Sequence, residues 1–112
     1  MTEPQCIVVL CTAPEDDTAS RIARALVGDG LAACVNRLPG VVSNFRWEGR
    51  VEEERETLLV IKSTTARLAE LSARIRALHP YELPEIVAVP VSGGLEPYLD
   101  WVRSSVAGAP GS

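Results

Sequence analysis

The chain has very little of the residues that usually carry catalysis or metal binding. It has one histidine, His79, and one lysine, Lys62, and aromatic residues are 4% of its 112 positions. No G-x-G-x-x-G, P-loop, H-E-x-x-H or serine or cysteine nucleophile motif occurs. No named reaction is therefore supported, and the chain is expected not to be an enzyme. His79 with Glu82 and Glu85 could do acid–base work, but binding needs fewer assumptions. No apolar run approaches the roughly 20 residues that span a bilayer, so no membrane partner is expected. Eleven basic residues stand against 15 acidic ones, for a net charge of −4. The basic residues are scattered and no aromatics interleave with them. Nucleic acid needs a concentrated basic surface and is not an expected partner. Three cysteines, Cys6, Cys11 and Cys34, make an odd number without C-x-x-C spacing. That argues against a disulfide framework and a zinc ribbon, and leaves small buried hydrophobes as their default role. The opening Met1-Thr2-Glu3-Pro4-Gln5 lacks the charged and apolar regions of a signal peptide, so a cytoplasmic location is expected.

What is present reads as one domain over residues 1–106, followed by a disordered tail at 107–112. Cys6 to Cys11 is a short β-branched run, a strand buried on both faces. Pro14, Glu15, Asp16 and Asp17 supply turn chemistry and acids for the first turn of a helix. Ala19, Ile22, Ala23, Leu26 and Val27 form its stripe, and Gly28 and Gly30 end it. Leu31 to Val35 reads as a second strand. Pro39-Gly40 either ends it or makes a bulge within one bent strand continuing to Trp47. In that continuation Val41, Ser43, Phe45 and Trp47 share a face. Glu48-Gly49 signals a hairpin, and the return strand runs from Arg50 to Lys62. It starts with the acids Glu52, Glu53, Glu54 and Glu56 and ends in Leu58-Leu59-Val60-Ile61. Its distal end should be solvated and its near end buried. So long a hairpin needs outside support for Phe45 and Trp47.

Ser63-Thr64-Thr65 is expected to cap a second helix with the stripe Leu68, Leu71, Ile75 and Leu78. His79-Pro80 stops it, because proline drives the preceding residue out of helical geometry. Ile86-Val87-Ala88-Val89 is a fourth strand. A last helix from about Glu96 to Val106 places Leu99, Val102 and Val106 on one face and Tyr98 with Trp101 on an adjoining one. The order βαββαβ plus a C-terminal helix predicts an α+β, ferredoxin-like fold with an antiparallel sheet and two helices on one face. One short helix cannot cover the other face, so oligomerisation is expected.

The densest chemistry lies in His79-Pro80-Tyr81-Glu82-Leu83-Pro84-Glu85, where two prolines stiffen a run holding an imidazole, a phenol and two carboxylates. It is either a binding site or a solvated helix-to-strand junction. Other ordered motifs accompany it: Val9-Leu10-Cys11-Thr12-Ala13-Pro14, Leu31-Ala32-Ala33-Cys34-Val35-Asn36, Pro39-Gly40 with Ser43, Trp47-Glu48-Gly49, Ile61-Lys62-Ser63 and Tyr98-Leu99-Asp100-Trp101. Together, from about Cys6 to Val106, they resemble the CutA family of divalent-ion tolerance proteins. The resemblance implies a PII-like homotrimer whose hairpins pair with neighbouring subunits, and an association with copper and other divalent cations. It places candidate metal ligands on Cys11 and His79, with Cys34 as a further soft candidate. Some relatives have two histidines before the proline where this chain has Leu78-His79, so weak binding of copper or another divalent cation is expected. The resemblance also implies an intersubunit cleft lined by Glu56, Lys62, Tyr81, Glu82, Glu85, Tyr98 and Trp101. Carboxylates are expected around Lys62. The cleft is either a small-molecule site of PII-like character or a seal that fixes subunit register, and a trimeric scaffold for an unknown protein partner is a third reading.

Overall fold

A computed structural model describes residues 4–107. The elements run β1 (Cys6–Pro14), α1 (Thr18–Gly28), β2 (Cys34–Trp47), β3 (Arg50–Thr64), α2 (Leu68–Leu78), β4 (Val87–Pro90) and α3 (Glu96–Ala107). The sheet is antiparallel in the order β2-β3-β1-β4, with α1 and α2 on one face. This is the ferredoxin-like α+β arrangement that the element order predicts. Ala107 closes α3; the rest of the tail expected over 107–112 lies outside the described residues. No helix among the described residues is long and apolar enough to cross a membrane.

The period-two alternation of the strands sorts their residues between two environments. Ile7, Val9, Cys11 and Ala13 of β1 and Leu59 and Ile61 of β3 point to the helices and form the core with Ile22, Leu26, Leu71 and Ile75. The intervening residues face the other way. There Cys6 packs with Leu99 and Val102, so α3 covers one end of that open face. Beyond α3, Val87 and Val89 of β4 are 50% and 46% exposed. At about 25 cal/mol per Å2, an apolar surface of this kind is a standing drive toward association.

Pro39-Gly40 is a bulge, since the register of β2 against β3 shifts between Leu38 and Val41 while the strand continues. Gly40 takes φ 80°, which a side chain rarely tolerates, and its N–H donates to Glu15 Oε2 at 3.0 Å. Glu48 and Gly49 both have positive φ, the signature of a two-residue type I′ turn. The hairpin extends the molecule to 48 Å in its longest dimension.

Four local expectations are corrected. Leu31 and Ala32 are buried but lie in a loop, and β2 starts at Cys34. The acids before α1 sit ahead of its first turn, where Asp16 Oδ1 accepts the Thr18 N–H at 2.8 Å. Val27 is exposed rather than part of the buried stripe. Ser63 and Thr64 finish β3 and do not cap α2, which follows a 3-10 turn at Thr65–Arg67. The Ser63 hydroxyl donates to the Leu31 carbonyl at 2.6 Å, a tertiary partner that outcompetes capping.

Candidate functional site

Pro80 holds His79 at φ −85°, ψ 134°, ending α2 and turning the chain along the edge of β1. His79 is 7% exposed. Its Nε2 lies 2.7 Å from the Thr12 carbonyl, and its Nδ1 accepts the Tyr81 N–H at 3.1 Å. A carbonyl can only accept, so the ring is the neutral tautomer with its proton on Nε2. The Cys11 thiol also points to the Thr12 carbonyl, at 3.7 Å. Cys11 is fully buried, and burial pushes its pKa from an ordinary 9.0 up to about 12, with the Glu85 and Glu56 carboxylates adding to the rise. Cys11 and His79 thus converge on one backbone oxygen.

Tyr81 packs against His79 with the rings tilted by 55° and their centroids 4.6 Å apart, and its hydroxyl donates to Glu56 Oε2 at 2.7 Å. Glu56 is 4% exposed. Burial, and then the bond and charge of Glu56, push the Tyr81 phenol above its usual range. Glu82 and Glu85 are exposed on the same segment. Cys11, His79, Tyr81, Glu56 and Glu85 therefore form one neighbourhood at the distal end of β1.

The other candidates gather at the opposite end of the open face. Cys34, Lys62, Val8 and Val89 occupy one register row across all four strands. Tyr98 reaches this row from α3. Burial, then the charge and hydrogen bond of Cys34, raise its phenol pKa. Trp101 lies beside Tyr98, with ring centroids 5.5 Å apart. The Lys62 ammonium hydrogen-bonds the Asn36 side-chain oxygen, an amide where carboxylates were expected. Glu56 and Lys62 are six residues apart on β3, roughly 20 Å along the strand. One protomer does not bring the two groups together, and Cys34 does not join Cys11 and His79.

Among the described residues, no group of three or more His, Cys, Asp and Glu side chains is placed to hold a metal. Both His79 nitrogens have partners and the Cys11 thiol holds its proton firmly. The protomer as folded does not present a closed metal centre.

Sequence reasoning missed the bond that buries His79, because Thr12 lies 67 residues away in the chain. It also passed over Arg37 and Thr57, which line a cavity on the helix-covered face. The signal was available: period-two alternation puts Arg37 on the inner face of an edge strand.

A family model described as "CutA1 divalent ion tolerance protein" matches residues 7–105. A divalent-cation tolerance protein CutA of Thermus thermophilus is 51% identical over 98 residues, covering 88% of this chain and 95% of that protein. One of the same name from Pectobacterium atrosepticum is 44% identical over 105 residues, covering 92% and 96%. Among solved structures, the PII-like protein CutA of Nostoc sp. in its apo form superposes with a TM-score of 0.83 at 39% identity, covering 89% of this chain and 96% of that one.

Proposed function

Since the chain belongs to the CutA1 family of divalent ion tolerance proteins, we propose that it acts in the cytoplasm as a PII-like homotrimer that contributes to divalent-cation tolerance by binding copper weakly through Cys11 and His79. The observation that supports this is their convergence on the Thr12 carbonyl. A soft thiolate and an imidazole suit copper. The same contacts explain weakness. Binding requires His79 to give up a hydrogen bond and Cys11 to lose a proton from a thiol whose pKa is about 12. Cys34, at the far end of the open face, is a secondary soft site. The family name denotes tolerance rather than a reaction, and the reading is of a binding protein.

Calorimetry tests the assignment. Copper titrated into the parent should bind with modest affinity, weaker at lower pH because protons compete for both ligands. The double variant Cys11→Ser, His79→Ala should lose at least about tenfold in affinity. Equal binding by parent and variant would overturn the ligand assignment.

A second reading has its own support. Glu56, Tyr81, Glu82 and Glu85 lie at one end of the open face and Lys62, Tyr98 and Trp101 at the other. A cleft containing both groups forms only between neighbouring subunits, which suits a PII-like small-molecule sensor. Lys62→Met should then leave the trimer intact and remove a ligand-induced change in tryptophan fluorescence. A variant that dissociates instead would make Lys62 a structural residue.

A further inference from the structure

On the helix-covered side of the sheet lies a half-open cavity of about 250 Å3, with Asp16, Arg37 and Pro39 exposed at its mouth. It shares no residue with the copper ligands or the cleft groups, although Thr57, which faces it, follows Glu56 directly in β3. Asp16, Ala19 and Ser20 line it from the start of α1, Arg37 and Pro39 from β2 at the bulge, and Thr57 from β3. Thr57 is 8% exposed, yet its hydroxyl has no hydrogen-bond partner among the described residues. No fully buried side-chain oxygen or nitrogen is left unsatisfied, so solvent in the cavity is what reaches this hydroxyl. Arg37 makes no ion pair or side-chain hydrogen bond among the described residues. Asp16, exposed at the rim, accepts the Thr18 N–H on Oδ1 at 2.8 Å and is also held by a side-chain hydrogen bond with Thr18, which keeps its carboxylate ionised and fixed in place.

The walls are held in place. Glu15, next to Asp16, accepts the Gly40 N–H at 3.0 Å and Arg55 Nε at 3.4 Å. The loop before α1 is thereby tied to the bulge and to β3. A cavity fixed before its ligand arrives loses less freedom on binding.

Arg37 and Thr57, which have no side-chain partner among the described residues, thus face this cavity beside the fixed Asp16 carboxylate. A simple anion there would meet repulsion from Asp16, and a simple cation repulsion from Arg37. We propose that this cavity binds an amino-acid-sized zwitterion, its carboxylate held by Arg37 and Thr57 and its ammonium by Asp16. This binding is independent of the copper ligands.

Thr57→Val separates a site from a structural position. A threonine kept only for packing tolerates the isosteric valine, and losing an unbonded, nearly buried hydroxyl leaves Tm unchanged or higher. A binding threonine loses affinity. NMR titration with L-alanine, acetate and methylammonium makes the test, following the amides of Ala19, Ser20 and Thr57. L-Alanine should saturate these shifts with at least about tenfold higher affinity than either single-charge probe. Arg37→Gln and Thr57→Val should each weaken it by about tenfold, with Tm for Thr57→Val not lowered and copper binding the same as in the parent. The proposal falls if L-alanine binds no better than acetate, or if both variants bind it as the parent does. Should Arg37→Gln fail to fold, the Thr57→Val titration decides alone.

Discussion

On the face of the sheet beneath α1 and α2, Val9, Cys11, Leu59 and Ile61 have no measurable exposure. On the opposite face, Val8, Leu10, Leu58 and Val60 come from the same strands with the same kind of side chain and are only half buried, while Val87 and Val89 are more open still. The covered face is complete within one chain. Among the described residues, α3 covers one end of the open face and no other helix lies across it. It also carries the two separated groups of cleft residues. The half-buried apolar residues and the two separated groups of candidate residues therefore lie on the same surface, and the association proposed above would complete both. Two helices cover one face of a four-stranded sheet, and the proposed assembly is what would bury the other.

The sharpest way to test the contrast is to weaken each face separately. Leu59→Ala removes a fully buried side chain from beneath the helices and should destabilise the protein by about 2–5 kcal/mol, read as a lower urea midpoint. Val89→Asp places a charge on the open face. It should leave the secondary structure intact in circular dichroism and split the assembly in sedimentation, because a charge desolvated at an interface is costly while the same charge on a wet surface is not. Phe45→Asp on the hairpin should weaken assembly in the same way, and more than Glu53→Lys does. If Val89→Asp assembled as the parent does, the two faces would not differ as described.

A smaller effect distinguishes the faces by pH. Cys11 belongs to the covered face, and its folded pKa of about 12 lies above the ordinary 9.0. The unfolded thiol loses its proton first as pH rises. The contribution is therefore fully present below about pH 9 and declines through the window from 9 to 12. Tyr81 and Tyr98, also shifted upward, add loss of the same sign. Urea midpoints measured across that window should fall in the parent and fall less steeply in Cys11→Ala. Equal slopes would mean that Cys11 is not held neutral by its surroundings.

Much of this was legible in the sequence, for identifiable reasons. Leu58 to Ile61 is continuously apolar, which announces burial on both faces, and the unfilled open face is what that pattern looks like in a single chain. Pro80 fixes the end of α2 and Glu48-Gly49 the hairpin turn, since both are local backbone constraints. The errors arose where distant partners intervened. Ser63-Thr64-Thr65 has the composition of a cap, but Ser63 hydrogen-bonds a carbonyl 32 residues away and β3 continues through it. His79 was recognisable as a junction residue, whereas the engagement of both its nitrogens depends on Thr12 and Tyr81 in their folded positions. Lys62 stood out as the single lysine, but local sequence does not reveal that Asn36 is its partner.

Completion of the open face by further copies of the chain is open to a direct check. Light scattering of the parent at micromolar concentration measures it directly. A particle of three chains with no monomer is expected. A stable, folded monomer at that concentration would contradict it, and would remove both the completed face and the intersubunit cleft.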